Sequence, residues 1–261
     1  MGMTIRVVSS LSQPDADLPI WLSRAIDAGL SGADAAAMLI RLAAGAVHAK
    51  DPDQALRHQD AGRRLAGAFA IRHLLDTARD RSAGLTTLAV ALRFRGPDVI
   101  DPLLERLHAA DDQAARRVYL QLAIALGRFP EIRGPLVARL QRDLDHPLWF
   151  VVRNAIGLLV DIGADVPARH DLATHAHRQV RLALAKAMAR RPADPSALDT
   201  LMFLLGDPDT SVRYASVVAL GAADTPRGRR ALSLHAGAET DPEVLHATRT
   251  IIKRRDVRRI A

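Results

Sequence analysis

The sequence has 261 residues, a formal net charge of +7 and no cysteine. Hydrophobic residues make up 49% of the chain but aromatic residues only 3%, so the core must consist of Ala, Leu, Val and Ile. This composition favours closely packed short helices over strands, which prefer aromatic and β-branched residues. The lack of cysteine excludes disulfides, thiolate nucleophiles and cysteine-based zinc sites.

Nothing in the sequence predicts a membrane span or an export signal. No apolar run approaches the ~20 residues that cross a bilayer. The first residues, MGMTIRVVSSLSQPDADLP, lack a long apolar core after a basic start and are not a convincing signal peptide. We therefore expect a soluble, cytoplasmic protein.

Apolar spacing and turn residues predict a series of short helices after an extended leader at 1–17. The first helices are predicted at 18–30 and 33–48, followed by a longer helical pattern at 53–79 that is broken near Gly62 or Gly67. Residues 1–81 lack the regular pattern that follows. They are predicted to form an N-terminal helical cap or a set of degenerate repeats, since terminal repeats are usually atypical.

From residue 82 the predicted helices follow one another regularly. They are expected at 85–94, 99–109, 114–128 and 135–143, within the stretch 145–163, and at 166–172, 175–190, 207–221, 226–235 and 242–255. Proline, glycine or aspartate stands at most of the intervening turns, where these residues are favoured.

One repeating unit is clearest at 145–163, DHPLWFVVRNAIGLLVDIG. An Asp/Pro turn leads into a helix with one apolar face, and Gly163 closes it where a left-handed cap is expected. Related stretches begin at residues 111, 175, 207 and 241. Matched arginines at Arg117, Arg153, Arg181 and Arg213 are separated by 36, 28 and 32 residues. A pair of short helices in every ~30–40 residues is the period of a helical solenoid.

The Asp-x-Pro turn, the Val-Arg pair at the start of the second helix, the alanine two residues later and the closing Leu-Gly resemble the HEAT repeat family. The chain is similar in particular to the short bacterial, phycobilisome-lyase-like form of these repeats. The resemblance covers about 82–255, and the last copy departs from it, with Leu245 where arginine is expected. It implies an all-α fold in which residues 82–261 form a right-handed α-solenoid of stacked antiparallel helix pairs. The second helices of such a HEAT-like superhelix line its concave face.

Two interpretations of the arginine series remain open. The resemblance implies that each arginine lies beside the aspartate of a turn, in a ladder that fixes the stacking of the repeats. The alternative is a row of guanidinium groups that contacts phosphates. The predicted ladder consists of Asp145, Arg153, Arg181, Asp207, Arg213 and Asp241.

A second candidate cluster surrounds Trp149, one of only two tryptophans. Beside Arg153 and Asn154 it has the character of a residue at a binding hot spot. The alternative is that Trp149 packs on the next repeat while Asn154 bonds a loop carbonyl. The full set of predicted partner-binding residues is Trp149, Arg153, Asn154, Arg178, Arg181, Lys186 and Arg213.

Two further groups receive a structural interpretation. His146, His170, His175 and His177 do not have the spacing of a zinc signature, so we expect turn histidines and neither a metal nor a cofactor. The basic run at 253–259 could bind nucleic acid or anionic lipid, but basic residues also stabilise the C-terminus of a helix.

Nucleotide-binding, serine-hydrolase and zinc-protease motifs are absent from the sequence. The sequence therefore predicts a non-enzymatic interaction scaffold that binds a protein or peptide partner on its concave face. The alternative is a nucleic-acid-binding protein related to the HEAT-like alkylpurine DNA glycosylases. A chromophore-lyase-like protein is a third hypothesis, and the oligomeric state is left open.

Overall fold

The computed structural model describes the backbone of residues 31–66, 68–79 and 84–260. Within these ranges the chain forms fourteen α-helices and one short 3-10 helix, and no strand. The predicted all-α class is thereby confirmed. The predicted leader at 1–17 and the helix at 18–30 lie outside the described residues.

The helices within these ranges are numbered here in chain order. They are α1 (Gly32–His48), α2 (Pro52–Leu65), α3 (Ala68–Arg79), α4 (Leu85–Arg93), the 3-10 helix (Gly96–Val99), α5 (Ile100–Ala109), α6 (Gln113–Leu126), α7 (Pro130–Asp143), α8 (Trp149–Asp161), α9 (His170–Ala173), α10 (Arg178–Met188), α11 (Pro195–Leu204), α12 (Thr210–Ala223), α13 (Pro226–Ala238) and α14 (Pro242–Ile260).

Many of these helices begin where a short polar side chain can cap them. Caps of this kind accept hydrogen bonds from backbone N–H groups that have no partner inside the helix. The capping side chains include Ser31, Asp51, Asp112, Asp194, Asp209 and Thr225. Proline follows directly after three of these caps, where its missing N–H costs nothing.

The chain divides into two compact units, Met1–Ala138 and Arg139–Ala261, and the division falls within α7. In the first unit, α1 packs against α2, α3 and α4, and α6 packs against α4 and α5. Buried aliphatic side chains fill this core; they include Met38, Leu39, Leu42, Leu74, Leu75, Leu88, Leu92, Leu104 and Leu122.

The second unit is built in two layers. The second helices of the repeats, α8, α10, α12 and α14, each contact the next one along the chain. The first helices, α9, α11 and α13, form the other layer, and α11 and α13 pack against the second helix that follows each of them. This arrangement confirms the predicted stacking of helix pairs. The predicted boundary between a cap and a regular array at residues 81 and 82 stays a prediction.

Two predicted helix positions differ from the structure. Helix α7 was predicted to begin at Pro135, but it begins at Pro130 and includes Pro135. Pro130 can start the helix because the first turn tolerates a residue without an N–H. Helix α11 was not predicted at all. Its start signal was present, since Asp194 caps the helix and Pro195 occupies its first position.

The glycines at the ends of the repeats have different roles. Gly163 has a φ of +68° and forms the left-handed cap that the sequence predicts. Gly221 instead lies inside α12, where an added Cβ would be 2.9 Å from Cδ1 of Ile251 on α14. The left-handed residue after α12 is Asp224, with a φ of +49°. Gly221 therefore allows α12 and α14 to approach closely.

Candidate functional site

Arg181 on α10 forms a buried, two-pronged ion pair with Asp207. Its Nε and Nη2 donate to Oδ2 and Oδ1 of Asp207 at 2.7 and 2.9 Å, and the two side chains are only 10% and 3% exposed. Its Nη1 donates to the carbonyl oxygens of His175 and Ala176 at 2.7 and 3.2 Å. The hydrogen bonds to Asp207 raise the pKa of Arg181 above its usual value. One guanidinium thus joins the turn before α10 to the turn before α12.

Arg213 repeats this geometry one step further along. Its Nε and Nη2 donate to Glu239 at 2.8 and 2.9 Å, and its Nη1 donates to the carbonyl oxygens of Asp207 and Pro208. The hydrogen bonds from Arg213 lower the pKa of Glu239 to about 2. Asp207 therefore contacts both arginines: its carboxylate accepts hydrogen bonds from Arg181, and its backbone carbonyl accepts one from Arg213. We call these two ion pairs the arginine ladder.

The observed ladder differs from the predicted one at two acidic residues. Glu239, rather than Asp241, accepts from Arg213, and it stands 26 residues after Arg213 just as Asp207 stands 26 residues after Arg181. Asp241 instead accepts from the backbone N–H groups of Glu243 and Val244 and so caps α14. In both pairs the acidic partner is thus the residue at the same distance along the chain from its arginine.

Asp145 also differs from the prediction, because its partner is Arg169 rather than Arg153. Nη2 of Arg169 lies 2.5 Å from an oxygen of Asp145 and also donates to Asp171. These hydrogen bonds raise the pKa of Arg169 and lower that of Asp171. Arg169 stands in the loop before α9, where the repeat pattern gave no reason to look for a partner.

In the first repeat, the arginine that makes the ladder-type backbone contact is one residue earlier than the sequence pattern predicted. In α6 it is Arg116, not Arg117, whose guanidinium donates to the carbonyl six residues earlier, that of Ala110, at 2.8 Å. Arg181 and Arg213 make the same contact six residues back. By this contact, Arg116 rather than Arg117 is equivalent to Arg181 and Arg213.

Trp149, at the start of α8, packs against the turn before α10. Its ring stacks on that of His177, with centroids 3.6 Å apart and planes at 7°. The guanidinium carbon of Arg153 lies 5.4 Å from the Trp149 ring centroid, and Nη2 of Arg153 donates to Oδ1 of the buried Asn154 at 2.7 Å. The predicted hot-spot residues are therefore in contact with one another and with the next repeat.

His177 has the environment of a neutral imidazole. Partial desolvation and the proximity of His175 and Arg178 lower the pKa of His177. Its Nδ1 accepts a hydrogen bond from the backbone N–H of Gln179, and Nδ1 of His175 accepts one from that of His177. His175 and His177 therefore cap backbone N–H groups of the turn. The sequence predicted turn histidines but not which backbone groups they bind.

The two remaining predicted binding residues lie on α10 and are exposed. Arg178 donates to Asp209 at 3.0 Å, and this hydrogen bond lowers the pKa of the Asp209 carboxyl, which also caps α12. Lys186 lies further along α10 and has no ion-pair partner among the described residues.

A groove of about 560 Å³ runs along the layer of second helices. Most of its lining is aliphatic or aromatic, and its two charged lining residues are Lys186 of α10 and Glu243 of α14. Two apolar side chains on its α12 floor are unusually open to solvent, Tyr214 at 40% and Val218 at 45%. The other lining residues are Leu182, Ala189, Thr210, Ser211, Ala215, Ala219 and Ala222. We call this feature the second-helix groove.

The sequence pattern missed Tyr214 and Val218 because both fall at apolar positions of an amphipathic helix. Such positions are normally counted as core. Their spacing of four residues places them on one face of α12, but only the packing shows that this face is left uncovered.

Within the ranges that the structure describes, no group of three or more His, Asp or Glu side chains could hold a metal ion. Among the same residues, no helix combines the length and the apolar character that crossing a membrane requires.

The comparisons with known proteins concern the second unit. A family model described as HEAT repeats matches residues 166–252, from the loop before α9 into α14. A search of curated proteins finds no match to the chain. The matched segment holds both rungs of the arginine ladder and the whole second-helix groove. Residues 166–252 of this chain are therefore similar to HEAT repeats.

Proposed function

We propose that the protein is a non-enzymatic scaffold whose second helices, α10, α12 and α14, bind a protein or peptide partner on the face predicted to be concave. HEAT repeats generally serve as protein-interaction scaffolds. A stack of repeats offers a long preformed surface that suits polypeptides better than small molecules. The second-helix groove is the observation that carries this proposal for the present chain.

The groove supports a polypeptide ligand because it is both apolar and open. Tyr214 and Val218 remain nearly half exposed beside small side chains such as Ala215 and Ala222. Small residues let a partner backbone approach closely, while exposed tyrosine supplies a large contact area with a polar end.

The alternative of nucleic-acid binding receives less support, because several of the arginines that could contact phosphates already pair with carboxylates. Arg181 and Arg213 are buried in the arginine ladder. Phosphate binding depends on cations that are free to replace counterions. Three exposed arginines of the second unit also have carboxylate partners: Arg178 with Asp209, Arg227 with Asp199 and Arg229 with Asp224.

Selection from a random-peptide display library against the full chain tests the proposed function. We expect enriched peptides that bind saturably in solution when they are measured by fluorescence anisotropy. A selection that returns no such peptide would count against the scaffold function.

A parallel titration with duplex DNA at low and physiological salt tests the alternative. Scaffold function predicts no saturable binding at either salt concentration. Affinity that falls steeply as salt rises would favour the nucleic-acid hypothesis instead.

A cytoplasmic location and the lack of catalytic activity belong to the same proposal. The location rests on the sequence alone, and the lack of activity rests on the sequence and on the typically non-enzymatic character of HEAT repeats.

A further inference from the structure

The second-helix groove has a charged residue at each end of an apolar floor. Its floor follows α12 through Tyr214, Val218 and Ala222, which are spaced four residues apart and lie on one side of the helix. The α10 wall contributes Leu182, Lys186 and Ala189, and the third helix, α14, contributes a carboxylate, that of Glu243.

The two charges lie at different levels along the helices. The N-terminal ends of α10 and α12 are adjacent, because Arg178 pairs with Asp209. The N-terminal ends of α12 and α14 are adjacent as well, because Arg213 pairs with Glu239 just before α14. Lys186 stands nine residues after the cap residue His177, whereas Glu243 stands two residues after Asp241. At a rise of ~1.5 Å per residue, the two levels differ by roughly 10 Å. The groove thus has a positive end and a negative end.

The charge at the positive end is free for a ligand. Lys186 is exposed and has no ion-pair partner among the described residues. Arg190, four residues further along the chain, is also exposed and lacks such a partner within the same ranges. These residues contrast with Arg181 and Arg213, whose guanidinium groups are held in the arginine ladder.

We infer that the second-helix groove binds an acidic, apolar segment of a partner protein, with apolar side chains on Tyr214, Val218 and Ala222 and a carboxylate on Lys186. This inference rests on the proposed scaffold function and specifies the chemistry of its ligand. The end of the segment near Glu243 carries no acidic residue, because two carboxylates there would repel each other.

The groove suits this ligand better than a nucleic acid or a small molecule. A nucleic acid needs a row of cations, whereas this groove offers one lysine and one opposing carboxylate. A small ligand is usually enclosed on most of its surface, whereas Val218 in the floor is 45% exposed.

Four variants of the full chain separate the apolar from the charged contribution. Val218→Arg fills the groove at an exposed position, and Leu234→Arg makes the same kind of change on α13, where Leu234 is 70% exposed outside the groove. Lys186→Glu reverses the charge at the positive end, and Arg230→Glu is the matched reversal at an exposed position of α13. Circular dichroism and thermal melting establish that each variant is folded like the wild type.

Peptides selected from a random display library on the wild type are then measured against each variant by fluorescence anisotropy. We expect them to combine apolar residues with Asp or Glu. Val218→Arg should weaken their binding at least about tenfold, which corresponds to ~1.4 kcal/mol. Lys186→Glu should weaken it about threefold to fivefold, as for a solvent-exposed ion pair. Leu234→Arg and Arg230→Glu should leave it unchanged.

A second selection, on the Lys186→Glu variant, provides a charge-swap test. We expect the enriched peptides to carry Lys or Arg in place of the acidic residue. Peptides that bind the wild type but are unaffected by Val218→Arg, or show no acidic preference that Lys186→Glu reverses, overturn the groove inference and leave the scaffold function standing. A library that yields no binding peptide overturns both.

Discussion

The two units use the same kinds of helix but hold them together differently. In the first unit, α1 packs against α2, α3 and α4. Ion pairs such as Arg106–Asp76 and Arg64–Asp60 lie at its surface, where each of these four side chains is at least 41% exposed. In the second unit, each second helix packs on the next, and Arg181–Asp207 and Arg213–Glu239 are largely buried between the turns.

This difference shows what a regular array requires beyond an apolar face. Aliphatic packing between helices is not directional and permits several angles and offsets. A two-pronged ion pair that also holds backbone carbonyls fixes the orientation of one repeat on the next. We therefore expect the second unit to depend on a few polar contacts and the first unit to depend mainly on its aliphatic core.

The largest effect is expected from Asp207→Ala. It leaves the buried guanidinium of Arg181 without its carboxylate and should lower the free energy of unfolding by about 3–5 kcal/mol. Urea denaturation followed by circular dichroism measures the change. The matched control is Asp199→Ala, whose pair with Arg227 is more than half exposed and should cost less than about 1 kcal/mol.

Asp76→Ala extends the same test to the first unit. Because the Arg106–Asp76 pair is exposed, its loss should also cost less than about 1 kcal/mol. Equal losses for Asp76→Ala and Asp207→Ala would remove the proposed difference between the units.

Gly221→Val should be the next most damaging change. Its side chain would overlap Ile251 across the close contact between α12 and α14, and overpacking of this kind costs about 1–3 kcal/mol. Adding Ile251→Ala to this variant should recover part of the loss. Gly237→Ala is the control, because nothing lies within 4 Å of its added Cβ and alanine is the better helix former.

Acid should weaken the arginine ladder through Glu239. Its pKa is about 2 in the folded protein, against 4.5 as the reference value. The unfolded state therefore binds more protons between these two values, and this contribution to stability, complete above pH 4.5, is lost as the pH falls towards 2. Unfolding free energies measured across this range should fall more steeply for the wild type than for Glu239→Gln. Parallel curves for the two proteins would contradict the role given to Glu239.

The smallest expected loss is that of Arg153→Ala. Its cation-π contact with Trp149 contributes about 0.5–1 kcal/mol at a partly exposed site. We predict that this variant loses stability before it loses affinity for a selected peptide. An unchanged thermal melt would show that Arg153 has no structural role.

Much of the fold could be predicted because helix signals are local. The cap at Gly163 and the start of α2 after Asp51-Pro52 follow from residue types at fixed positions. The contacts of the arginines were harder to predict, because they depend on which distant turn packs beside each helix. The pairing of Arg213 with Glu239 rather than Asp241 has this origin.

The second-helix groove could not be predicted either, because it too depends on which elements pack beside α12. Val218 and its buried neighbour Val217 are the same residue type on the same helix, and only their surroundings distinguish them. The 26-residue offset that Arg181–Asp207 and Arg213–Glu239 share becomes apparent only after one of the two pairs is known.

A double-mutant cycle on Arg181 and Asp207 tests the central claim most directly, namely that the arginines of the second helices serve to stack the repeats. Urea denaturation of the wild type, Arg181→Ala, Asp207→Ala and the double variant gives their coupling energy. We predict a favourable coupling of about 2–3 kcal/mol, within the range for residues that share a hydrogen-bonded ion pair. A coupling near zero, with both single variants as stable as the wild type, would contradict the claim and leave these arginines free for a ligand.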